Sequence, residues 1–463
     1  MGERRTGAFS RNTSLFYDMQ LTKQNWEKKM QFKKGIGWKA CYDEEKNVYT
    51  AQRSWRGFYQ LCEIDSEVYD KLGGDDDPDK LIRSGRVLFE SDDDYYCPPH
   101  YTVYDEKYNE LAPWSSAKWI AGKTDALNKK NQIVGQFPGV SLAFGSADES
   151  GSTQYFGVSD MESNSLVDQE TIFPACSISK FVTAICVLKL QELKMLNIDE
   201  RVNEYLHQWK LLTVNGEESD ATVRAVLSHT AGIVDGEESF YGLRIGDLDV
   251  SLLDVLEGRT KYNNRPVRAE KPQGTDFEYS DAGYCVLQQM IQDVTGKEFS
   301  ALLKDLVFQE LGLKNMFFAS QVERENHKLK MTTGYDDYGS PIPGKFPVTP
   351  DLAASGLWST PKDLMTLAAE FFRALNGKST FLQTDSAREI IKPVEGFPWT
   401  GLGIFLNGKD TLISKGWGEN GQCMMKLYLG SGEVSVAMTN KNPGTPQVES
   451  GIEWLVDSYV WFI

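Results

Sequence analysis

The chain has 463 residues, of which 25 % are charged and 41 % hydrophobic, with a formal net charge of −17. That is room for two domains or one large one, in a composition ordinary for a soluble globular protein. The acidic balance argues against a nucleic-acid binder and against docking on an anionic membrane, and no apolar run of about 18 residues predicts a membrane span.

Arg4 and Arg5 are followed by no apolar stretch, so no secretory signal is expected. The seven cysteines, at 41, 62, 97, 176, 186, 285 and 423, are odd in number and widely spaced. That pattern argues against a disulfide framework and for a reducing, cytoplasmic setting. Residues 1–36 are polar and lysine-rich, with one helical stretch at 22–31. Residues 38–52 read as a hairpin, 57–64 as a strand, 66–72 as a short helix, and 86–90 with 101–104 as a second strand pair. The acidic runs at 75–77 and 92–94 lack the alternating spacing of a calcium loop and read as solvated turns. Cys97 and His100, with Cys41 and Cys62, lack the paired Cys-x-x-Cys knuckle of a zinc site. Residues 1–114 are therefore expected to form a small, mainly β accessory domain, with no metal.

Residues 114–133 read as an amphipathic helix opening a second domain over 115–463, followed by strands at 139–144 and 153–156. Residues 171–196 then read as a turn and a long helix. Pro174 suits a helix start, because the first turn needs no N–H from it. From Phe181 to Leu190 the residues are mostly apolar on every side, which predicts a buried helix. Ser177 and Lys180 are three apart and share a face. A serine hydroxyl attacks only when something takes its proton, and a desolvated lysine can do so.

His229, in Leu227-Ser-His-Thr-Ala-Gly232, is either the base of a Ser/His triad or a residue that holds a turn by hydrogen bonds. With a lysine at hand, the second reading is preferred. Leu287, Met290, Ile291 and Val294 recur at helical spacing, Gly296 suits the end of that helix, and Ser280 or Asp281 caps its start. Tyr279 stands just before it. Thr360 and Pro361 open another helix that Gly377 ends. Strands at 403–406, 411–414, 424–429 and 434–439 precede a closing helix at 447–460. Two early strands and about four late ones, with helices between, predict an α+β fold whose antiparallel sheet is closed by both chain ends.

Ser177-Ile-Ser-Lys180, Leu196-Asn-Ile-Asp-Glu-Arg-Val202, Leu227-Ser-His-Thr-Ala-Gly232, Tyr279-Ser-Asp281, Leu311-Gly-Leu313 and Ala353-Ala-Ser-Gly-Leu-Trp-Ser-Thr360 occur in that order. On these motifs, residues from about 115 to 463 resemble the serine β-lactamase and penicillin-binding protein superfamily, in the branch of class C β-lactamases, DD-peptidases and related esterases. The resemblance implies an antiparallel sheet of five or more strands flanked by helices, with an all-helical subdomain. It implies a serine hydrolase acting on a small ester or amide through an acyl-enzyme, without metal or cofactor. Ser177 would be acylated, and Lys180 and Tyr279 would share the proton transfer. The N–H of Ser177 and one from the sheet edge near 417–421 would hold the oxyanion.

Two positions depart from the family pattern. Asp281 stands where Asn is usual, and an ionised Asp281 near Lys180 would favour the charged lysine. The third motif, within Ser414-Lys-Gly-Trp-Gly-Glu-Asn-Gly421, aligns in two ways. Trp417-Gly418-Glu419 resembles the Trp-Gly-Gly variant of some esterases, which would put Trp417 and Gly418 beside the substrate with Asp281 and favour esters or neutral amides. Lys415-Gly416-Trp417 is the other alignment. These departures motivate an alternative: a protein that keeps the fold for binding or scaffolding without turnover.

Overall fold

The computed structural model describes residues 30–35, 38–44, 47–55, 58–74, 76–91, 126–146, 151–237, 239–240, 250–318, 329–347, 349–408 and 410–458. The chain divides into two units, Met1–Leu127 and Asn128–Ile463. The boundary expected at 114/115, the strand expected at 101–104, and Cys97 and His100 lie outside the described residues. So does most of the helix expected at 22–31, whose last two residues, Met30 and Gln31, are strand.

In the first unit five antiparallel strands follow one another as neighbours: Met30–Gly35, Trp38–Asp43, Val48–Trp55, Phe58–Ile64 and Arg86–Ser91. The first three connections are short hairpins, and the fourth, residues 65–85, carries two short helices. Arg86–Ser91 lies against Phe58–Ile64. Trp38, Ala40, Ala51, Cys62 and Ile64 share one face, and Tyr69, Leu72 and Ile82 from the helices Ser66–Lys71 and Pro78–Arg83 cover it.

In the second unit a seven-stranded antiparallel sheet runs in the order Phe405–Asn407, Thr411–Gly418, Gly421–Tyr428, Glu433–Thr439, Gly139–Ser146, Ser152–Asp160, Ser165–Leu166. The early pair is thus stitched to the late strands through Glu433–Thr439. Both faces are covered, so the inner strands are apolar almost throughout. Val140, Leu142 and Phe144 pack with Ile133, Ile452, Leu455 and Val456, while Ala143, Val434, Val436 and Met438 belong to the large core on the other side. That core contains the Ser179–Glu192 helix, buried from Ser179 to Leu188 as its all-round apolar character requires.

Local capping follows the residues that offer it. Ser280 accepts from Gly283 N at 2.9 Å at the head of Asp281–Thr295, and Thr360 accepts from Asp363 N at 3.2 Å ahead of Pro361–Leu375. The closing helix is split into Gln447–Ser450 and Ile452–Asp457, because Gly451 has φ +85° and presses against Ile133 with no room for a side chain.

The entry to the Ser177 helix differs from the expectation. Phe173–Cys176 is a strand, antiparallel to Leu357–Ser359, so Pro174 lies in a strand and the helix begins at Ser179. Cys176, with φ +45°, turns the chain between them. Ser179 Oγ fastens the corner, donating to Cys176 O at 2.5 Å and accepting from Leu357 N at 3.0 Å. Ser177 is left half-buried at the tip of a rigid turn.

Gly416, on the strand that follows this corner, has no space for a side chain. A Cβ would overlap Cys423 Sγ and the Ala175 oxygen and come to 3.1 Å from Cys176 Cβ. Gly416→Ala is expected to destabilise the protein by about 1–3 kcal/mol, since overpacking must push the sheet off the serine corner. Urea denaturation followed by circular dichroism measures it.

Candidate active site

Three chain segments supply the site, and the corner just described supplies the hydroxyl. One turn into the helix, Lys180 is 2 % exposed. Its Nζ donates to Ser177 Oγ at 3.1 Å, Asp281 Oδ1 at 2.5 Å and Ala354 O at 3.0 Å. Three acceptors around three N–H groups describe an ammonium, with no lone pair left over. Burial pushes its pKa down, but the Asp281 charge and the contacts with Tyr279 outweigh that, and the net direction is up.

Tyr279 closes the triangle. Lys180 Nζ lies 4.7 Å from the centre of its ring, and the phenol interacts with both Lys180 and Ser177. The residue is 41 % exposed, through its ring, while the hydroxyl end is enclosed by protein. Burial pushes the phenol up; Lys180 pulls it down, Asp281 pushes it up again, and the contacts with Lys180 and Ser177 lower it, for a net rise. The structure therefore brings Ser177, Lys180, Tyr279 and Asp281 together.

His229 supports the tyrosine. Its ring stacks on Tyr279 with centroids 4.4 Å apart, its Nδ1 accepts from Ser280 N at 3.1 Å, and its backbone oxygen accepts from Glu278 N at 2.8 Å. Burial first, and then the Lys180 charge, hold the imidazole well below its usual pKa. It is a neutral acceptor that holds a turn. His229 itself stands at φ +62°, as Cys176 does at +45°, so left-handed non-glycine residues flank the site on two sides.

Asp235 and Asp351 carry no motif and were invisible in sequence. Asp235 Oδ1 accepts from Ser280 Oγ at 2.6 Å and Ala282 N at 3.1 Å, and its Oδ2 accepts from Asp281 N at 2.7 Å. It thus seats the helix start that presents Asp281. Burial and the Asp281 charge raise its carboxyl to about 6. Asp351 Oδ1 accepts from Tyr262 OH at 2.5 Å, while its buried Oδ2 has no partner among the described residues. Burial and the Asp281 charge raise it to about 8, which keeps it protonated at neutral pH.

The cleft over Ser177 is narrow, with about 10 Å³ of free room, and Lys180, His229, Tyr279, Phe405, Ser414 and Lys415 are among its walls. Trp417 and Gly418 are not. Trp417 is 44 % exposed and donates Nε1–H to Asn442 Oδ1 at 2.7 Å, and Gly418 packs on Cys176 Sγ. Their strand nevertheless has an open edge there. Leu406 N donates outward to Trp399 O, so Phe405 and Ile413 form a hydrogen-bonded pair; alternation then turns the N–H groups of Lys415 and Trp417 to the same edge, past the end of Phe405–Asn407. Ser177 N has no hydrogen-bond partner among the described residues. No group of three His, Cys, Asp or Glu among those residues could hold a metal ion.

Residues 124–457 match the family model Beta-lactamase. Protein flp of Staphylococcus aureus strain MW2 is 25 % identical over 253 residues, 53 % of this chain and 46 % of that protein. Esterase EstB of Burkholderia gladioli is 28 % identical over 170 residues, 35 % of this chain and 43 % of that protein. The matched parts thus span less than half the length of these relatives. The D-amino acid amidase from Ochrobactrum anthropi SV3 has the same fold, with a TM-score of 0.58 at 20 % identity over 74 % of this chain and all of that one.

Lys180 and Tyr279 are both displaced upward, so any activation of Ser177 that needs one of them deprotonated is expected only at alkaline pH. Labelling of Ser177 by a fluorophosphonate should accelerate as pH rises past neutrality, with no inflection from His229 between pH 5 and 8. In Asp281→Asn burial becomes the dominant influence on Lys180, its pKa falls, and the alkaline limb should move down by about 1–3 units. Labelling rate against pH, in both proteins, measures this.

Proposed function

This chain belongs to the Beta-lactamase family, and on that premise we propose that it is a serine hydrolase, cleaving an ester or amide through an acyl-enzyme at Ser177. The observation that carries the proposal is the convergence of Ser177, Lys180 and Tyr279 at the foot of one cleft. Esterase EstB and the D-amino acid amidase, by their names, act on these two bond types.

In this mechanism Ser177 Oγ bonds to the substrate carbonyl carbon and its proton passes to the Tyr279 oxygen. Lys180, kept as an ammonium by Asp281, stabilises the phenolate that accepts it. The tyrosine then gives the proton to the departing alcohol or amine as the carbon–heteroatom bond breaks. Water repeats the sequence in reverse to free Ser177. The main-chain N–H groups of Ser177 and Trp417 are the proposed oxyanion donors, so Trp417 serves through the strand edge. Asp281 makes the tyrosine, more than the lysine, the carrier of the proton.

Lys415 lines the cleft and has no ion-pair partner among the described residues. Its position supports the Lys415-Gly416-Trp417 alignment and offers a cation to an anionic substrate group. No helix among the described residues is long and apolar enough to cross a membrane.

One observation favours the alternative of a binding protein without turnover: the Lys180–Asp281 pair, which withholds the lysine as a base. Lys180 nevertheless stays 3.1 Å from Ser177. Assays with p-nitrophenyl esters, D-amino-acid amides and nitrocefin decide between the readings. Wild type should turn over at least one class, Ser177→Ala none, and Tyr279→Phe should lose about 10²–10⁴ in kcat. Equal rates in wild type and Ser177→Ala would end the hydrolase reading.

A further inference from the structure

Aromatic rings lead continuously outward from the cleft. Tyr279 and Phe405, both in its wall, are stacked with centroids 6.2 Å apart and planes 19° apart. Phe405 meets Phe277 at 6.4 Å, Phe277 meets Trp399 at 6.3 Å and Phe397 at 6.3 Å, and Phe397 meets Trp399 edge-on at 5.7 Å. These residues come from two distant segments, the approach to the Asp281–Thr295 helix and the turn before Phe405–Asn407. None is fully buried, and Trp399 is 48 % exposed. Aromatic side chains exposed singly need no explanation, but a contiguous, partly exposed row that begins beside a nucleophile does.

The row is also held still. Phe397 N donates to Val394 O at 2.9 Å, Thr400 N to Phe397 O at 3.1 Å, and Leu406 N to Trp399 O at 2.8 Å. The turn that carries Phe397 and Trp399 is therefore fixed by its own backbone, a preformed surface that loses little freedom when something lies on it. It presents the Phe397 and Trp399 rings, with Glu395 as the turn's one charged residue. The cation of the cleft, Lys415, stands on the Thr411–Gly418 strand.

We propose that the row of Tyr279, Phe405, Phe277 and Trp399 is a substrate subsite for a bulky, uncharged apolar group, aromatic or branched alkyl, joined to the scissile ester or amide. The inference rests on the hydrolase reading and names its substrate class. A group of that kind stacks on Phe405 and Trp399 as the carbonyl reaches Ser177, and the surface it covers is withdrawn from water. A charged group in the same place would lose hydration without a partner.

The test uses the full-length protein and methyl esters followed by pH-stat, so that the leaving group contributes no ring. The acyl series is acetate, phenylacetate, cyclohexylacetate and monomethyl succinate. A second series of acetates, of methyl, benzyl and cyclohexylmethyl alcohols, places the same groups on the other side of the bond. Wild type should prefer the ring-bearing esters over methyl acetate in one series, and should discriminate against the succinate. Trp399→Ala should lower the ratio of kcat/KM for the preferred ester over methyl acetate about tenfold, mainly through KM, and Trp399→Phe should restore much of it. Fluorophosphonate labelling of Ser177 in wild type reports the hydrolase reading separately. If wild type is labelled but the ratio is near one, or is untouched by Trp399→Ala, the subsite is wrong and the hydrolase stands. If wild type is not labelled, both fall.

Discussion

The ion pair between Lys180 and Asp281 is the contact on which the rest of the site turns. It joins the first turn of the Ser179–Glu192 helix to the first turn of Asp281–Thr295, 101 residues later. A lysine that is 2 % exposed could not stay charged alone, and the carboxylate keeps it so. With the amine committed, the phenol beside it becomes the group that can exchange a proton with Ser177. Removing either partner would leave an uncompensated charge in the interior, a change of about 3–5 kcal/mol for buried pairs in general. Geometry and the proposed chemistry are therefore tied: the salt bridge joins the two helix heads and, in the mechanism proposed above, leaves the tyrosine as the base.

Around that pair the protein manages an excess of carboxyl groups. The Asp281 charge raises both Asp235 and Asp351, and the Lys180 ammonium acts on Asp351 as well as on Asp281. Asp351 is held protonated by burial, and Asp235 spends its acceptors on backbone N–H groups at a helix start, where partial positive charge is on hand.

Much of this was legible in the residues, for identifiable reasons. Thr360 with Pro361, and Ser280 before an apolar helical stripe, are local signals: the residue that caps and the groups it caps lie within four positions. The all-round apolar run after Lys180 announced a buried helix for the same reason. Ser177, Lys180 and Tyr279 were found through motif spacing. What failed to show was non-local. Pro174 sits in a strand because Leu357–Ser359 arrives to pair with it. The closing helix breaks at Gly451 because Ile133, more than 300 positions earlier, fills the space a side chain would need. Asp235 lies in an irregular stretch whose composition gives no hint that it will cap a helix beginning at Asp281. That Lys415 lines the cleft, the observation that favours one alignment of the third motif, had no signal in the sequence.

The order of strands in the large sheet has a consequence for biosynthesis. Gly139–Ser146 hydrogen-bonds on one side to Ser152–Asp160, which follows at once, and on the other to Glu433–Thr439, where Val140 meets Thr439 about 300 residues later. On the ribosome that strand leaves the exit tunnel with one edge unpaired, and it stays unpaired until Glu433–Thr439 has been made. A hairpin in that state is a template for pairing with a neighbouring nascent chain. The large sheet can thus be closed only once Glu433–Thr439 has emerged, and Gly139–Ser146 is open to such pairing until then.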